Sequence, residues 1–372
     1  MSSNKYVKEL PGHIIGIQAL RGIAVLAAVT SHLRVIIITD SQKPEVTSWP
    51  WLNQAFTRGF LGVDLFFVLS GFLITSLLLK DGEVSTGPLL RKFYMRRALR
   101  ILPALYAVLI ISSVIAILEG FSLTAQWNST WSALLFIQNW TFQSRFLQTQ
   151  ADIGHLWSLA VEEQFYLLWP LAFVALRRFR IHWTVITTAL CLLVLIIAIY
   201  RNHLWNSQLS WLFIYLKTET RADAILIGCA CAYLFRYASI PLQSIRILGY
   251  ISTIALVIIA YFYSEKEQGF LYQGGFSLIA LLMGIVILAV AISESFGSRL
   301  LRSRFLLWLG QRSYGVYLYN LLIFRAFGRY VFFGPNLLRI IIAIVVLVVV
   351  TEVSWRFVER PFIRIKNNKY SH

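Results

Sequence analysis

Long apolar runs recur along the chain and are separated by short polar or charged stretches. Each run holds about 20 mostly apolar residues, which is the length that a helix needs to cross the hydrocarbon core of a bilayer. Only helices and closed barrels satisfy their backbone hydrogen bonds in lipid. We therefore predict an all-α integral membrane protein, a bundle of about ten transmembrane helices. The predicted spans are residues 14–38, 59–79, 98–118, 156–176, 182–200, 218–235, 246–263, 272–292, 305–325 and 338–357.

The distribution of charge predicts the orientation of the bundle. With the amino terminus inside, Lys and Arg outside the spans are roughly twice as frequent on the inner side as on the outer side. Both termini are then cytoplasmic. Arg356, Glu359 and Arg360 are expected at the inner boundary, and Pro361 is expected to end the last helix. The chain then divides into a cytoplasmic amino-terminal segment, a transmembrane domain and a cytoplasmic tail, at residues 1–13, 14–357 and 358–372.

Composition supports the membrane assignment and changes how the net charge is interpreted. The chain is 58% hydrophobic and 14% charged, with a formal net charge of +17. An excess of Lys and Arg is also the electrostatic signature of nucleic-acid binding. Because cytoplasmic loops of membrane proteins accumulate the same residues, the bilayer explains the charge better, and we expect no nucleic-acid partner.

The first predicted span contains one arginine and one histidine, Arg21 and His32. At about 100° per residue, a separation of eleven positions returns His32 to within roughly 20° of Arg21, about 16 Å further along the axis. Ionisable residues within a span are costly unless they face the protein interior, so this shared face indicates a functional site. A snorkelling arginine with an interfacial histidine is the structural alternative.

The second predicted span carries Asp64 near its outer end and several glycines. A carboxylate at this depth needs a partner, and His32 and Arg34 of the first span are the expected ones. Gly59, Gly62 and Gly71 predict that another helix or a ligand approaches closely. An outward-facing carboxylate with ordinary glycine packing is the alternative.

Basic residues cluster where the third span begins. Lys92, Arg96, Arg97 and Arg100 lie within nine consecutive positions. Arg97 and Arg100 are three residues apart, so they share a helical face and could hold one anion together. Positive-inside topology alone would also explain several of these charges.

The fourth span begins with a polar face inside an apolar segment. His155, Ser158, Glu162 and Tyr166 follow one another at spacings of three, four and four residues. This spacing places them on one side of a helix, whereas Glu163 is expected to point about 100° away. Such a face indicates either ligand binding or a structural polar network.

Two later spans hold polar residues whose purpose the sequence leaves open. Tyr317 and Asn320, after Tyr314, form a stripe that either lines a pathway or serves helix packing. Arg221 could pair with one of its neighbours on the same helix, Glu219 or Asp223, or contact a ligand.

Five blocks of this chain resemble the membrane-bound acyltransferase-3 family, whose mainly bacterial members acylate sugars of envelope polysaccharides and some secreted small molecules. The blocks occur in the family's order and extend over nearly the whole chain. Members with a fused extracytoplasmic hydrolase-like domain carry a further span, and this chain looks like the standalone type. The matching blocks are LRGIAVLAAVTSHL, GFLGVDLFFVLSGFLIT, FYMRRALRILPALY, HLWSLAVEEQFYLLWP and SYGVYLYN.

The resemblance implies a multi-pass enzyme of the bacterial inner membrane that takes an acyl group, acetyl in the simplest case, from cytoplasmic acyl-CoA. It implies a carbohydrate or glycosylated acceptor and no metal. The family's motif residues fall on Arg21 and His32, on Arg97 and Arg100, and on Glu162. Many members have a histidine where this chain has Asn320. The candidate residues for donor binding are Arg21, Lys92, Arg96, Arg97 and Arg100, and those for the acceptor are His155, Ser158, Tyr166, Tyr317 and Asn320.

Our mechanistic hypothesis makes His32 the general base, with Asp64 or Glu162 fixing its tautomer, in a cavity that joins Arg21 and His32 to the basic inner rim. A covalent acyl-histidine ranks second. A polytopic transporter that uses Arg21, His32, Asp64 and Glu162 as a relay is the alternative from another class. A scaffold whose basic rim binds anionic lipid headgroups is a further one.

Overall fold

A computed structural model describes most of the chain, and every regular element within the described part is helical. The described residues are 14–38, 56–83, 85–120, 122–141, 151–263, 267–293, 295–331 and 336–370.

Ten long helices lie within the described ranges, and each of the ten predicted spans overlaps one of them. In chain order they are α1 Ile15–Ile38, α2 Leu61–Lys80, α3 Thr86–Leu118, α4 Trp157–Arg178, α5 Trp183–Asn206, α6 Thr218–Tyr237, α7 Leu242–Phe262, α8 Phe276–Ile292, α9 Arg304–Tyr330 and α10 Asn336–Ser354. Shorter helices and 3-10 turns lie at Asp81–Glu83, Leu123–Leu134, Gln138–Thr141, Ala151–Leu156, Trp211–Leu216 and Ser298–Leu301.

Eight helices in the described part of the chain are long and apolar enough to cross a membrane. The other two long helices, α6 and α9, carry more polar and charged residues. Large apolar side chains cover the outside of the bundle; on α5, Leu192, Ile196 and Ile199 are each more than half exposed. An apolar surface of this extent would aggregate in water but is matched to lipid. The protein is therefore a multi-pass, all-helical membrane protein.

Glycines let the central helices pack backbone to backbone. A Cβ atom at Gly59 or Gly62 would clash with α1, and one at Gly71 would clash with a carbonyl oxygen of α6. Gly22 of α1 and Gly310 of α9 make the same close approach to each other's helices. The prediction of close approach at the glycines of the second span is confirmed, and the neighbour is a helix in each case.

The prediction that Pro361 ends the last helix is wrong, because Pro361 lies within a further helix. A π-helical turn, Trp355–Glu359, follows α10 and leads into a further helix, α11, at Arg360–Tyr370. Proline clashes with the carbonyl four residues earlier in a regular α-helix, and the wider π turn accommodates it. Helix α11 packs against α3, so this part of the predicted tail belongs to the folded body.

Candidate active site

A cavity of about 710 Å³ lies between α1, α2, α3, α4 and α9, with α11 contributing at one end. Its volume is in the range of ligand-binding pockets. One end is rich in cationic side chains. The other end, between α4 and α9, is lined by Ser158 and Tyr317 together with aromatic and aliphatic residues.

We call the cationic end the basic mouth and define it by Lys80, Lys92, Arg96, Arg97, Arg100 and Lys366, all of which line the cavity. Arg21 adds a seventh cation deeper inside, whereas the lining contains three carboxylates, those of Asp81, Glu162 and Glu163. The surplus of positive charge creates a field that attracts an anionic ligand.

The four basic residues predicted on the third span all line the cavity, but they differ in their contacts. Lys92 and Arg96 approach Asp81, with nitrogen–oxygen distances of 3.4 and 3.6 Å. The Arg97 guanidinium lies over the ring of Tyr166, 3.9 Å from its centroid. Arg100 forms no ion pair with any residue that the structure describes. The two arginines that were predicted to share a face therefore lie side by side with their charges available to a ligand.

Arg21 lines the cavity beyond the basic mouth, as expected from its place in the first span. Its Nη2 donates to the Ser313 hydroxyl of α9 at 3.0 Å. This contact holds the guanidinium at the α1–α9 interface, where it can meet a ligand that enters past Arg97 and Arg100.

Both glutamates of α4 line the cavity. Glu162 accepts hydrogen bonds from the hydroxyls of Ser70 at 2.8 Å and Tyr166 at 3.3 Å, so the expectation that it orients His32 is not met. Glu163 was predicted to point elsewhere, and this is wrong. The cavity is wider than one helical face, and Glu163 Oε1 is buried there without a hydrogen-bond partner among the described residues.

The end of the cavity opposite the basic mouth is closed by a hydroxyl pair. Ser158 Oγ and the Tyr317 hydroxyl lie 2.5 Å apart, and the Tyr317 hydroxyl donates to the backbone carbonyl of His155 at 2.6 Å. Because that hydroxyl has one proton, Ser158 must be the donor to Tyr317. His155 does not line the cavity; its Nε2 lies 3.2 Å from the carbonyl oxygen of Leu318.

His32 is held by Asn320, a contact between α1 and α9. His32 Nδ1 lies 2.5 Å from Asn320 Oδ1, while the Asn320 amide nitrogen donates to the carbonyls of Val316 and Tyr317 at 3.1 and 2.6 Å. The amide orientation is therefore fixed, and its oxygen can only accept from His32. Nδ1 must carry a proton, so the neutral ring has its lone pair on Nε2.

Arg21 and His32 were expected to line the same cavity. Arg21 lines it, but His32 does not. His32 is only partly buried and is absent from the cavity lining. Two ring contacts connect it to the cavity wall: its ring centroid lies 5.7 Å from that of His155, which in turn lies 5.2 Å from that of Tyr317. His32 thus lies behind the Ser158–Tyr317 end of the cavity rather than in it, and Asn320 likewise does not line the cavity.

Asp64 does not partner His32 or Arg34. It pairs with Arg221 of α6, at 2.5 Å, and both side chains are 1% exposed. Beside this pair, Arg201 of α5 binds Asp223 at 2.8 Å, also without exposure to solvent. We call these four residues the buried ion-pair cluster. Arg221 therefore pairs across helices rather than with a neighbour on its own helix.

The buried ion-pair cluster is surrounded by apolar and hydroxyl side chains. Ser277 donates to Asp223 at 2.5 Å, and the Arg221 guanidinium lies 3.9 Å from the ring centroid of Phe276. None of its four members lines the cavity. The described residues contain no group of three His, Cys, Asp or Glu side chains that could hold a metal ion.

A family model described as "Acyltransferase domain" matches residues 14–356. "Putative peptidoglycan O-acetyltransferase YrhL" of Bacillus subtilis is 33% identical over 94% of the chain and 55% of its own length. "Peptidoglycan O-acetyltransferase OatA" of Listeria monocytogenes is 30% identical over 96% of the chain and 56% of its own length.

The chain spans a little over half the length of these curated relatives. No solved structure matches the chain. The matched family model covers the cavity, His32 and the buried ion-pair cluster, since all of them fall between residues 14 and 356 apart from Lys366 and Asn367 of α11.

Proposed function

The chain belongs to the membrane-bound acyltransferase-3 family, and from this premise we propose that it transfers an acyl group, acetyl in the simplest case, from cytoplasmic acyl-CoA to a sugar hydroxyl of the cell wall. The observation that carries the proposal is the surplus of cations at one end of a ligand-sized cavity. Relatives named as peptidoglycan O-acetyltransferases support peptidoglycan as the acceptor.

In this proposal the basic mouth binds the phosphates of the donor. Arg97 and Arg100 donate charge-assisted hydrogen bonds to phosphate oxygens, and Lys92 and Arg96 add attraction at the entrance. The pantetheine arm then extends past Arg21 towards Ser158 and Tyr317. This direction brings the thioester to the end of the cavity behind which His32 lies.

His32 acts as the general base for the acceptor, which approaches from the side of His32 that the cavity does not reach. Nε2 takes the proton of the sugar hydroxyl while the hydroxyl oxygen forms a bond to the thioester carbonyl carbon. The carbon–sulfur bond then breaks, and the same proton neutralises the leaving thiolate. This step requires the Ser158–Tyr317 pair to move aside or to bind the thioester carbonyl.

Asn320 is a positioning residue in this scheme, in place of the expected Asp64 or Glu162. By accepting from Nδ1 it holds His32 in the tautomer that has its lone pair on Nε2. A carboxamide does this without adding a negative charge inside the bundle, where an unpaired carboxylate would be costly.

We further propose that all ten long helices cross the bacterial inner membrane, with both termini and the basic mouth cytoplasmic. The two helices of lower hydropathy, α6 and α9, carry side chains that are buried in the bundle, such as Arg221 and Asn320. Polar residues buried against other helices need not face lipid, so these helices can span the bilayer as well.

The test is transfer by the full chain purified in detergent, with acetyl-CoA as donor and soluble peptidoglycan fragments as acceptor. Thiol release is measured together with the acetyl mass increment on the fragments. A transporter or a lipid-binding scaffold would release no thiol. Loss of the base should lower the rate of His32→Ala by about 10²- to 10⁴-fold while leaving coenzyme A binding unchanged.

A matched control is His203→Ala, since His203 lies exposed on the surface of α5. We expect this variant to retain the parent rate. Normal transfer by His32→Ala would overturn the role of His32, and absence of acceptor-dependent thiol release in the parent would overturn the function. A burst of thiol without acceptor, equal to the enzyme concentration, would favour the acyl-histidine route.

A further inference from the structure

The carboxy-terminal helix α11 reaches the cavity although it follows the segment predicted as the last span. It packs against α3, the helix that carries Arg96, Arg97 and Arg100. Two of its side chains, Lys366 and Asn367, line the cavity at the basic mouth. The helix therefore contributes wall to the same entrance as the arginines.

The basic side chains of α11 differ in their surroundings. Arg364 and Lys369 are exposed, as expected for a helix beside water or lipid headgroups, whereas Lys366 is partly buried. Lys366 forms no ion pair with any residue in the described ranges. A lysine held close to other cations without a carboxylate is unfavourable in the empty protein. An anion bound between Lys366 and the neighbouring cations would remove this repulsion.

Resting on the function proposed above, we propose that α11 completes the donor site and that Lys366 binds a phosphate of the coenzyme A nucleotide. Lys366 and the arginines of α3 line the same cavity entrance, so one phosphate there can contact both helices. A phosphate of an anionic lipid headgroup has the same chemistry. The nucleotide is favoured because Lys366 shares a cavity with Arg21 and Ser158, which lie deep in the bundle.

The experiment measures the dissociation constant of coenzyme A with the full chain in phosphatidylcholine nanodiscs. The variants are Lys366→Ala and, as the matched control, Lys369→Ala, which removes an exposed lysine of the same helix. We expect Lys366→Ala to weaken binding by about 3- to 10-fold and Lys369→Ala by less than about twofold, because a single exposed charge contributes little. Adenosine 3′,5′-bisphosphate, as a competitor without the pantetheine arm, should show the same difference.

The outcomes separate this inference from the proposed function. Equal affinities of the two lysine variants, in a parent that binds coenzyme A, would overturn the role of Lys366 and leave the function standing. A parent without affinity for coenzyme A would overturn both. A difference between the variants that arises only when phosphatidylglycerol is added to the nanodiscs would assign Lys366 to lipid and overturn the inference.

Discussion

The buried ion-pair cluster and the basic mouth both withdraw arginines from bulk solvent, but they differ in what balances the charge. In the cluster, Arg201 and Arg221 each face an aspartate at 2.8 Å or less, and all four side chains are almost completely buried. In the basic mouth, six cationic side chains line the cavity entrance, and Asp81 is the one carboxylate of the lining within 4 Å of any of them among the described residues. Arginines that are paired with carboxylates, as in the cluster, indicate a structural role. Cations without such partners, as in the basic mouth, indicate a binding site for an anionic ligand.

The difference follows from the cost of placing ions away from water. A buried ion pair roughly offsets its desolvation by mutual attraction, and removal of one partner leaves the other at full cost. The arginines of the basic mouth are only partly buried, so a cation such as Arg100 can remain there without an ion-pair partner until an anion binds. We therefore expect substitutions in the cluster to lower thermal stability, and substitutions in the basic mouth to lower donor affinity with little change in stability.

The largest effect is expected in the cluster. Arg221→Leu leaves the Asp64 carboxylate buried without its partner and should destabilise the protein by about 3–5 kcal/mol. The measurement is the loss of monodisperse full chain on heating in detergent.

Asp64→Leu combined with Arg221→Leu removes both charges and should recover most of the thermal stability. If the double variant also retains acetyl transfer, Asp64 lies outside the chemistry. Heating curves of Arg221→Leu that coincide with the parent would contradict a stabilising role for the pair.

An intermediate effect is expected at Asn320, which is buried like the cluster but acts on His32. Asn320→Leu removes the acceptor for Nδ1 and allows the other tautomer, so kcat for acetyl transfer should fall at least about tenfold with an unchanged KM for acetyl-CoA. Asn320→Asp retains an acceptor oxygen and should keep more activity than the leucine variant. Equal kcat values in parent and Asn320→Leu would refute the positioning role.

The smallest change in thermal stability is expected for a substitution in the basic mouth. Arg100→Leu removes a cation that forms no ion pair in the described structure, so the change in thermal stability should stay within about 1 kcal/mol. The heating assay applied to Arg221→Leu provides the comparison. A loss as large as in that variant would mean that Arg100 is a structural charge rather than a ligand-binding one.

Helical periodicity correctly grouped several cavity residues that lie within one regular helix. The three-residue spacing of Arg97 and Arg100 placed them together, and the spacing of Ser158, Glu162 and Tyr166 placed these on one face; all five line the cavity. His155 was predicted on the same face, but it lies in the 3-10 turn before α4 and does not line the cavity. The period determines the direction of a side chain relative to its own helix, and it needs no knowledge of the neighbours.

Contacts between helices distant in the chain could not be predicted in this way. Asp64 and Arg221 are separated by 157 positions, and His32 and Asn320 by 288. Periodicity does not show which helix lies opposite, so the nearest polar residues, on the first span, were assigned to Asp64. The glycine-mediated approach of α2 to α6 brings Arg221 to it instead.

Two further residues escaped prediction for geometric reasons. Glu163 reaches the cavity because five helices enclose a space broader than one face of α4. Lys366 reaches it because the π turn Trp355–Glu359 leads into α11, a helix that contains Pro361 near its start. An irregular turn of this kind changes the helical phase, which a sequence pattern with a constant period does not reveal.

The most direct test of the account is the affinity of the purified full chain for coenzyme A in two paired variants, measured by titration calorimetry. Arg97→Ala with Arg100→Ala removes unbalanced cations and should weaken binding at least about tenfold, since each lost charge-assisted hydrogen bond is worth about 1.5–3 kcal/mol. Asp64→Leu with Arg221→Leu removes as many side-chain charges in a balanced pair and should leave the affinity unchanged. Equal affinity in the parent and the double arginine variant would contradict the account.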